Sequence, residues 1–371
     1  MDAKTRQEKL NELINTASPY ATKRLVYKGV SDVFEVWDIP VEFLAFNQYN
    51  GRIGTFVKQH EKLHGPIDAS SADGEAIIME YLWESNLSRN RETKQDLIVN
   101  NQLEFGIVTR DGVVIDGNRR CMLLKKIAKE SHSGTAYFKA VILDETLDTN
   151  AKEIRKLETM YQMGVDAKVD YSPIEKYLKC RELISDGFTE SEVALMMGEI
   201  IVSGNSRKPD IKQIKKYLGI LGLMEDYLKE YNYEGMYRVL DEAKVEGPLT
   251  DLVGYLSSKP KEWIPEVDDY DDLKKIYFHS IRAVKGGTDD LRNIGNSKGL
   301  FQDKKLWDKR TAEFFTDVYP IIDAEKTLDE VREERPNEDI TSIIAGIESD
   351  FRSKAKGKVE KFLNLVRQDL D

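Results

Sequence analysis

The sequence predicts an α+β chain in which a domain of mixed strands and helices comes first and helical segments follow. Three observations predict this order: a β-hairpin signal over residues 105–115, a separate strand signal over 137–143, and helical patterns from residue 151 onward. We expect four segments. They are a helical extension (1–30), the α+β domain (31–150), a helical domain (151–235) and an acidic helical domain (236–371).

Composition restricts the class of protein. The chain has 371 residues, 40% hydrophobic and 33% charged, which is typical of a folded chain of two or three domains. No apolar run approaches the ~20 residues of a membrane span, and the first residues lack a signal-peptide core. Cys121 and Cys180 form no disulfide framework or Cys-rich metal site. We therefore expect a cytoplasmic protein without a membrane partner.

The net charge of −11 argues against a chain coated in nucleic acid, but it leaves room for a local basic patch.

The first elements are a helix and a strand. Residues 1–17 have the apolar spacing of an amphipathic helix, and residues 34–46 form a strand-like run that ends at a polar turn, residues 47–52. The sequence His60-Glu61-Lys62-Leu63-His64 then matches the HExxH zinc pattern. We discount a zinc protease, because Lys62 would charge a buried turn and Gly65-Pro66 ends the helix directly after the second histidine.

A β-hairpin is predicted at the centre of the first domain. The short apolar strands 105–108 and 113–115 flank Asp111-Gly112, a strong signal for a two-residue turn because glycine accepts positive φ. A helix over 121–130 follows the hairpin. The next strand, 137–143, is expected to close the sheet.

The corner between the second hairpin strand and this helix is a candidate anion site. It consists of Asp116, Gly117, Asn118, Arg119 and Arg120, called the corner below. Free N–H groups and the helix dipole would point at the same spot, and two arginine forks suit phosphate oxygens. The alternative is a surface arginine pair beside an ordinary turn.

Helical patterns with clear capping signals follow. Residues 151–163 form one helix, Ser172-Pro173 opens the next, and Thr189–Glu192 form a capping box. A further helix is predicted over 206–223, in helix–turn–helix spacing. It would carry a basic outer face, called the basic stretch below, made of Arg207, Lys208, Lys212, Lys215 and Lys216. Such a face fits DNA phosphates, although a solvated lysine face on a core helix is the alternative.

Several short boxes resemble those of the ParB family. DGNRR at 116–120 resembles the GERR box of the ParB N-terminal domain, a fold shared with sulfiredoxin. The polar turn 47–52 resembles the Asn/Arg-rich loop near the start of that domain. Glu158-Thr159-Met160-Tyr161-Gln162 resembles part of the ENxQR box. The order of elements over 172–207 resembles the ParB central domain, with a longer loop at 199–205. The resemblance covers about residues 33–231.

The resemblance implies a nucleotide-dependent DNA-binding protein, an NTP-gated DNA clamp or regulator. The triphosphate of a nucleotide, CTP by resemblance, would contact the corner and Gln162, and Glu158 would help to hold Mg²⁺. Glu158 and Asp116 are the candidate catalytic carboxylates. Family members carry Glu where Asn118 stands, and an amide cannot act as a base, so any hydrolysis would be slow. DNA would bind the basic stretch, and the protein would be a homodimer associated with nucleoid or plasmid.

Two alternatives remain open at this stage. Relatives in bacterial defence systems carry DGQQR or DGQHR boxes, which DGNRR also resembles, and these favour a nuclease or an NTPase. The other alternative is an adaptor without ligand that binds a protein partner through its C-terminal domain. In that domain, helical patterns occupy 277–282, 312–318 and 340–370.

Overall fold

The computed structural model describes residues 1–131, 136–163, 171–204, 206–242, 245–257, 267–283 and 304–320. The chain divides into two compact units, Met1–Leu218 and Gly219–Asp371. The first unit is mixed α and β, and the described part of the second is helical. The finer division into the four segments named above stays a prediction.

A six-stranded mixed sheet is the centre of the first unit, with the strands in the order β1-β2-β6-β4-β5-β3. The strands are β1 (Ala21–Tyr27), β2 (Val30–Pro40), β3 (Ala45–Phe46), β4 (Gly106–Val108), β5 (Val113–Asp116) and β6 (Tyr137–Ile142). β6 pairs antiparallel with β2 and parallel with β4. It is therefore an inner strand, and the expectation that it closes the sheet is wrong. The edges are β1 and β3.

The N-terminal segment is not helical throughout. β1 lies within residues 1–30, where a helical extension was expected, and pairs antiparallel with β2 along its whole length. The two strands join through Lys28 and Gly29, whose φ angles of 52° and 75° suit the tight hairpin turn that follows the twist of the strands. The segment thus supplies an edge strand of the sheet.

The predicted β4–β5 hairpin is present, but its connection is longer than two residues. The strands end at Val108 and resume at Val113, and the Gly112 N–H donates to the Thr109 carbonyl at 3.0 Å. Gly112 follows this turn with a φ of 79°, which suits glycine. The Asp111-Gly112 signal located the turn correctly and missed its length, because Thr109 caps the loop by accepting the Val113 N–H at its hydroxyl.

Helices cover both faces of the sheet. The α-helices described in the first unit are α1 (Ala3–Thr16), α2 (Gly54–His64), α3 (Ala72–Glu84), α4 (Leu87–Asn100), α5 (Asn118–Ser131), α6 (Leu147–Met163), α7 (Pro173–Ser185), α8 (Glu190–Met196) and the start of α9 (Ile211–Glu230). Helix α9 continues into the second unit. One apolar core lies between the sheet and α1 to α5, and includes Phe138 and Met122. A second core on the opposite face packs Ile154 and Leu157 of α6 against Ile107 and Ile115.

Alternation along the strands explains the two cores. In β6, Phe138 and Ala140 face the first core, whereas Val141 faces the second. The strand is apolar on both faces because helices cover both. The corner lies where β5, the strand next to the edge strand β3, passes into α5.

The segment between α8 and α9 departs from the predicted helix over 206–223. A second, two-stranded sheet forms there from β7 (Ile200–Ser203) and β8 (Ser206–Pro209). Pro209 lacks an N–H, and Asp210 caps α9 by accepting the Gln213 N–H. Helix α9 therefore begins at Ile211. The Ser172-Pro173 start predicted for α7 and the capping box predicted for α8 are both present, and α7 has a capping box as well. The helix–turn–helix assignment itself stays a prediction.

In the second unit, the described residues after α9 form α10 (Arg238–Glu242), α11 (Glu246–Ser257), α12 (Val267–Ala283), α13 (Lys304–Glu313) and a π-helical turn, Phe314–Val318. These confirm the helices expected at 277–282 and 312–318, while the pattern at 340–370 lies outside the described residues. His279 is buried and lies 3.0 Å from both Tyr231 and Glu230. None of the described helices has the length and apolar character needed to cross a membrane.

Candidate functional site

The corner forms where β5 ends and α5 begins. Gly117 has a φ of 96°, and an added Cβ atom would lie 2.7 Å from the ring of Phe138. Phe138 is fully buried, so this position suits glycine for two independent reasons. Helix α5 starts at Asn118, three residues before the predicted start, because the Cys121 N–H already donates to the Gly117 carbonyl. Arg119 and Arg120 therefore lie in the first turn, where backbone N–H groups have no acceptor inside the helix.

Asn118 is a buried member of the corner and links it to the polar turn at 47–52. Its side-chain oxygen accepts the Asn47 backbone N–H at 3.2 Å, and its amide nitrogen donates to the Val114 carbonyl at 2.9 Å. Both amide functions are thus engaged. Asn118 holds the turn against the start of α5 and is not positioned as an acid or a base.

Glu158 extends this network from α6. Asn47 donates its side-chain amide to one Glu158 carboxylate oxygen at 3.0 Å, and the Lys179 ammonium lies 3.4 Å from the other. Both members of this ion pair are buried. Burial raises the pKa of the Glu158 carboxyl above its usual value, although the positive charge of Lys179 opposes that shift. Asn118, Asn47, Glu158 and Lys179 form what we call the corner network.

Gln162 lies one turn further along α6, on the same side of the helix. Its amide nitrogen donates to the Ile115 carbonyl at 2.9 Å, and its oxygen accepts the Tyr171 hydroxyl. Burial raises the pKa of the Tyr171 phenol, against the opposing positive charge of Arg52. Gln162 therefore ties α6 to the last part of β5. Its predicted contact with a nucleotide stays a prediction.

The two arginines of the corner, and Arg52 of the polar turn at 47–52, differ in what they contact. The Arg120 guanidinium donates to the Glu104 carbonyl at 2.9 Å and pairs with Asp116 at 3.3 Å. Arg119 is partly exposed in the first turn of α5. Arg52 belongs to the 3₁₀ turn Gly51–Ile53, and its Nε is buried without a hydrogen-bond partner among the described residues. A buried N–H donor without an acceptor destabilises the folded state.

The two predicted carboxylates do not suit a Mg²⁺ ion held by the protein. Of the two predicted carboxylates, Asp116 is paired with Arg120 and Glu158 with Lys179. Each is neutralised by a basic side chain, and Mg²⁺ prefers unpaired oxygen ligands. The part of the chain that the structure describes contains no group of three His, Cys, Asp or Glu side chains placed for a metal. Within the HExxH match, the His60 ring nitrogen lies 2.8 Å from the Tyr81 hydroxyl.

The network contains residues that the sequence analysis did not select. Asn47 belongs to the loop that was compared with ParB domains, and that resemblance was the available signal. Lys179 stands between the apolar residues Leu178 and Cys180 of α7, and all three are buried. A lysine inside an apolar run is only a weak signal of a buried ion pair. Its partner, Glu158, is 21 residues away, and the two meet only because α6 packs on α7.

The basic stretch lies elsewhere in the first unit and is divided between two elements. Arg207 and Lys208 are on β8, which corrects their predicted place on a helix, while Lys212, Lys215 and Lys216 are on α9. All of these side chains are exposed. Lys215 pairs with Glu190 of α8 at 3.5 Å. The five cations are therefore exposed as predicted, but they belong to a strand and a helix and not to one helical face.

Comparisons with known proteins give one point of reference. No protein family model matches the chain, and no curated protein does. A solved structure of a Pnob8-like ParB-N domain, in its C2221 form, matches with 13% sequence identity and a TM-score of 0.31, over 85% of this chain and 97% of that one. At this TM-score the match supports no conclusion about this chain. The ParB-like interpretation thus rests on the boxes and on the geometry of the corner.

Proposed function

We propose that the protein is a ParB-like, nucleotide-dependent DNA-binding protein whose corner binds the triphosphate of a nucleotide. One observation carries the proposal. Three boxes that are far apart in the sequence are joined by the chain of hydrogen bonds from Asn118 through Asn47 to Glu158. A surface arginine pair beside an ordinary turn would not need a buried polar network beneath it.

The physical chemistry of the corner suits phosphate. The first turn of α5 offers backbone N–H groups and the positive end of the helix dipole. The partly exposed Arg119 can supply a planar fork, and Arg52 has a buried Nε without an acceptor among the described residues. Arg120 is held by Asp116 and Glu104, so it would shape the corner more than it would contact phosphate. Mg²⁺ enters the proposal only as the ion that accompanies the nucleotide.

The network also supports a nucleotide-sensitive switch. Lys179 of α7 is paired with Glu158, which is joined through Asn47 to the start of α5. A phosphate that repositions the start of α5 would change this buried pair, and with it the place of α7. We propose that the nucleotide biases an equilibrium between open and DNA-clamped dimers. Hydrolysis would be slow, because Asn118 supplies no base.

The DNA-binding part of the proposal rests on the basic stretch. Its exposed cations belong to a chain of net charge −11, so they are a local exception to the overall charge. Phosphate contacts by such side chains would make binding fall steeply with salt. We do not propose the nuclease alternative, because Asp116 and Glu158 are each paired with a basic side chain.

Calorimetry tests the nucleotide part directly. CTP, ATP and GTP, each with Mg²⁺, are titrated into the wild type, Arg119→Ala and Arg110→Ala. Arg110 is the matched control, because it lies in the β4–β5 connection at the opposite end of the hairpin from the corner. We expect saturable binding of one nucleotide, at least tenfold weaker in Arg119→Ala (about 1.4 kcal/mol or more) and unchanged in Arg110→Ala. Absence of binding by every nucleotide would contradict the proposal and favour the adaptor alternative.

A further inference from the structure

The β7–β8 hairpin is exposed along both strands. Ile200, Ile201 and Val202 are 38%, 49% and 67% exposed, an unusual series for consecutive β-branched residues. Arg207 and Lys208 on β8 are exposed as well. A strand of this composition normally covers a core, so its exposure indicates a surface that meets something else.

The base of the hairpin is firmly anchored. Glu199, just before β7, donates its N–H to the Ala194 carbonyl of α8 at 2.8 Å. Its carboxylate accepts the Tyr217 hydroxyl of α9 and pairs with Lys176 of α7, both at 2.7 Å. The Asp210 N–H closes the base by donating to the Glu199 carbonyl at 2.9 Å. An isolated two-stranded hairpin is marginal in water, and this anchoring to three helices gives it a fixed direction.

The pairing register puts an exposed apolar side chain beside a basic one on each face of the hairpin. Val202 is opposite Arg207, and Ile201 is opposite Lys208. Directly opposed residues of antiparallel strands share a face and lie close together. Each face can therefore place an apolar group and a cation against the same partner. That combination suits duplex DNA, where cations contact phosphates and apolar groups contact thymine methyl groups.

The surrounding charge favours nucleic acid over another protein surface. The hairpin leads directly into Lys212, Lys215 and Lys216 of α9, which are also exposed. Two copies that meet hairpin to hairpin would bring like charges together, which opposes that contact. The polyanionic partner with grooves wide enough for a two-stranded ribbon is duplex DNA.

We propose that the β7–β8 hairpin is a β-ribbon that enters the major groove of duplex DNA with its Val202–Arg207 face against the DNA, Val202 on base edges and Arg207 on a phosphate. This inference rests on the proposed DNA-binding function and assigns its contact to an element that interrupts the expected helix–turn–helix. Strands of four residues are roughly 13 Å long, enough to reach the floor of a groove about 8.5 Å deep.

The test compares two hairpins of the same unit by fluorescence anisotropy with a labelled mixed-sequence duplex. The test variant is Val202→Ser with Arg207→Ala. The matched control is Val33→Ser with Arg24→Ala, because Val33 and Arg24 are also an exposed cross-strand pair, on β2 and β1. Both variants remove the same groups and the same charge. Affinity is measured over a salt series, with and without each nucleotide, and circular dichroism checks that both variants are folded.

We expect the test variant to bind DNA roughly tenfold more weakly than the wild type, and the control to bind as the wild type does. Arg207→Ala alone should lower the slope of log K against log salt by about one, whereas Val202→Ser alone should weaken binding without changing that slope.

Three results would overturn the inference, and they separate it from the proposed function. Wild-type binding that the test variant retains would overturn the role of the hairpin alone, leaving DNA binding to α9. A change in oligomeric state on sedimentation, with unchanged DNA affinity, would overturn it in favour of a contact between copies. A wild type that binds no duplex under any condition would overturn the proposed DNA binding and this inference together.

Discussion

Two lysine–glutamate pairs in the first unit have nearly the same distance and very different surroundings. Lys179 and Glu158 are 3.4 Å apart with side chains 4% and 2% exposed, whereas Lys215 and Glu190 are 3.5 Å apart and 65% and 38% exposed. The first pair belongs to the corner network and the second to the basic stretch. The two pairs differ in interaction energy, because water screens the exposed charges and is excluded from the buried ones. We therefore expect substitutions in the network to change stability most, and substitutions in the stretch to change binding to a partner most.

The largest effect is expected from removing the buried cation. Lys179→Met should lower the free energy of unfolding by about 3–5 kcal/mol, because it leaves the Glu158 carboxylate buried without its counter-charge. Chemical denaturation of the purified chain measures this. The double variant Lys179→Met with Glu158→Gln should recover much of the loss, since it removes the orphaned charge. If the single variant is as stable as the wild type, the comparison between the two pairs fails.

A smaller effect is expected at the corner glycine. Gly117→Ala must place a Cβ atom 2.7 Å from the Phe138 ring at a φ of 96°. Gly29 also has positive φ, at 75°, but an added Cβ meets no atom within 4 Å. We expect Gly29→Ala to cost about 1 kcal/mol for the backbone alone, and Gly117→Ala about 1–3 kcal/mol more for overpacking. Equal costs in thermal unfolding would show that the corner is less tightly packed than the structure indicates.

The pH dependence of Glu158 sharpens the comparison further. Burial raises the pKa of the Glu158 carboxyl above its usual 4.5. The stability that this carboxyl contributes is therefore complete below the unfolded pKa and is lost as pH rises through the folded pKa. The stability advantage of the wild type over Glu158→Gln should therefore shrink from pH 4 upward, with a slope of at most about 1.4 kcal/mol per pH unit. If the stability advantage of the wild type grew with pH, the charge of Lys179 would lower the Glu158 pKa by more than burial raises it.

The smallest effect on stability is expected at the exposed pair. Lys215→Ala should change the free energy of unfolding by less than about 0.5 kcal/mol, as is usual for solvated ion pairs. The same substitution should weaken DNA binding and reduce the salt slope by about one, if Lys215 contacts phosphate. Denaturation and anisotropy on one preparation separate the two effects. A large loss of stability would place Lys215 with the buried network instead.

Local patterns predicted much of the fold. The Ser172-Pro173 start of α7, the α8 capping box, the Asp111-Gly112 turn and the strand-to-helix change at Gly117 were predictable. Each depends on residues within one or two turns of one another. The start of α9 was not, because β7 and β8 form only by pairing across the connection, and Arg207 and Lys208 fit a basic helix equally well.

The sequence by itself determined the order of the elements from β4 to α8, the basic stretch and the position of the corner, but not β1, β7 or β8. Only the tertiary structure decided which polar groups meet beneath that corner. The bonds from Asn47 to Asn118 and to Glu158 join residues 71 and 111 positions apart, and the Lys179–Glu158 pair joins residues 21 apart on different helices. The physical reason is that burial and pairing depend on how the sheet and helices pack, and sequence patterns record only which residues are apolar or charged.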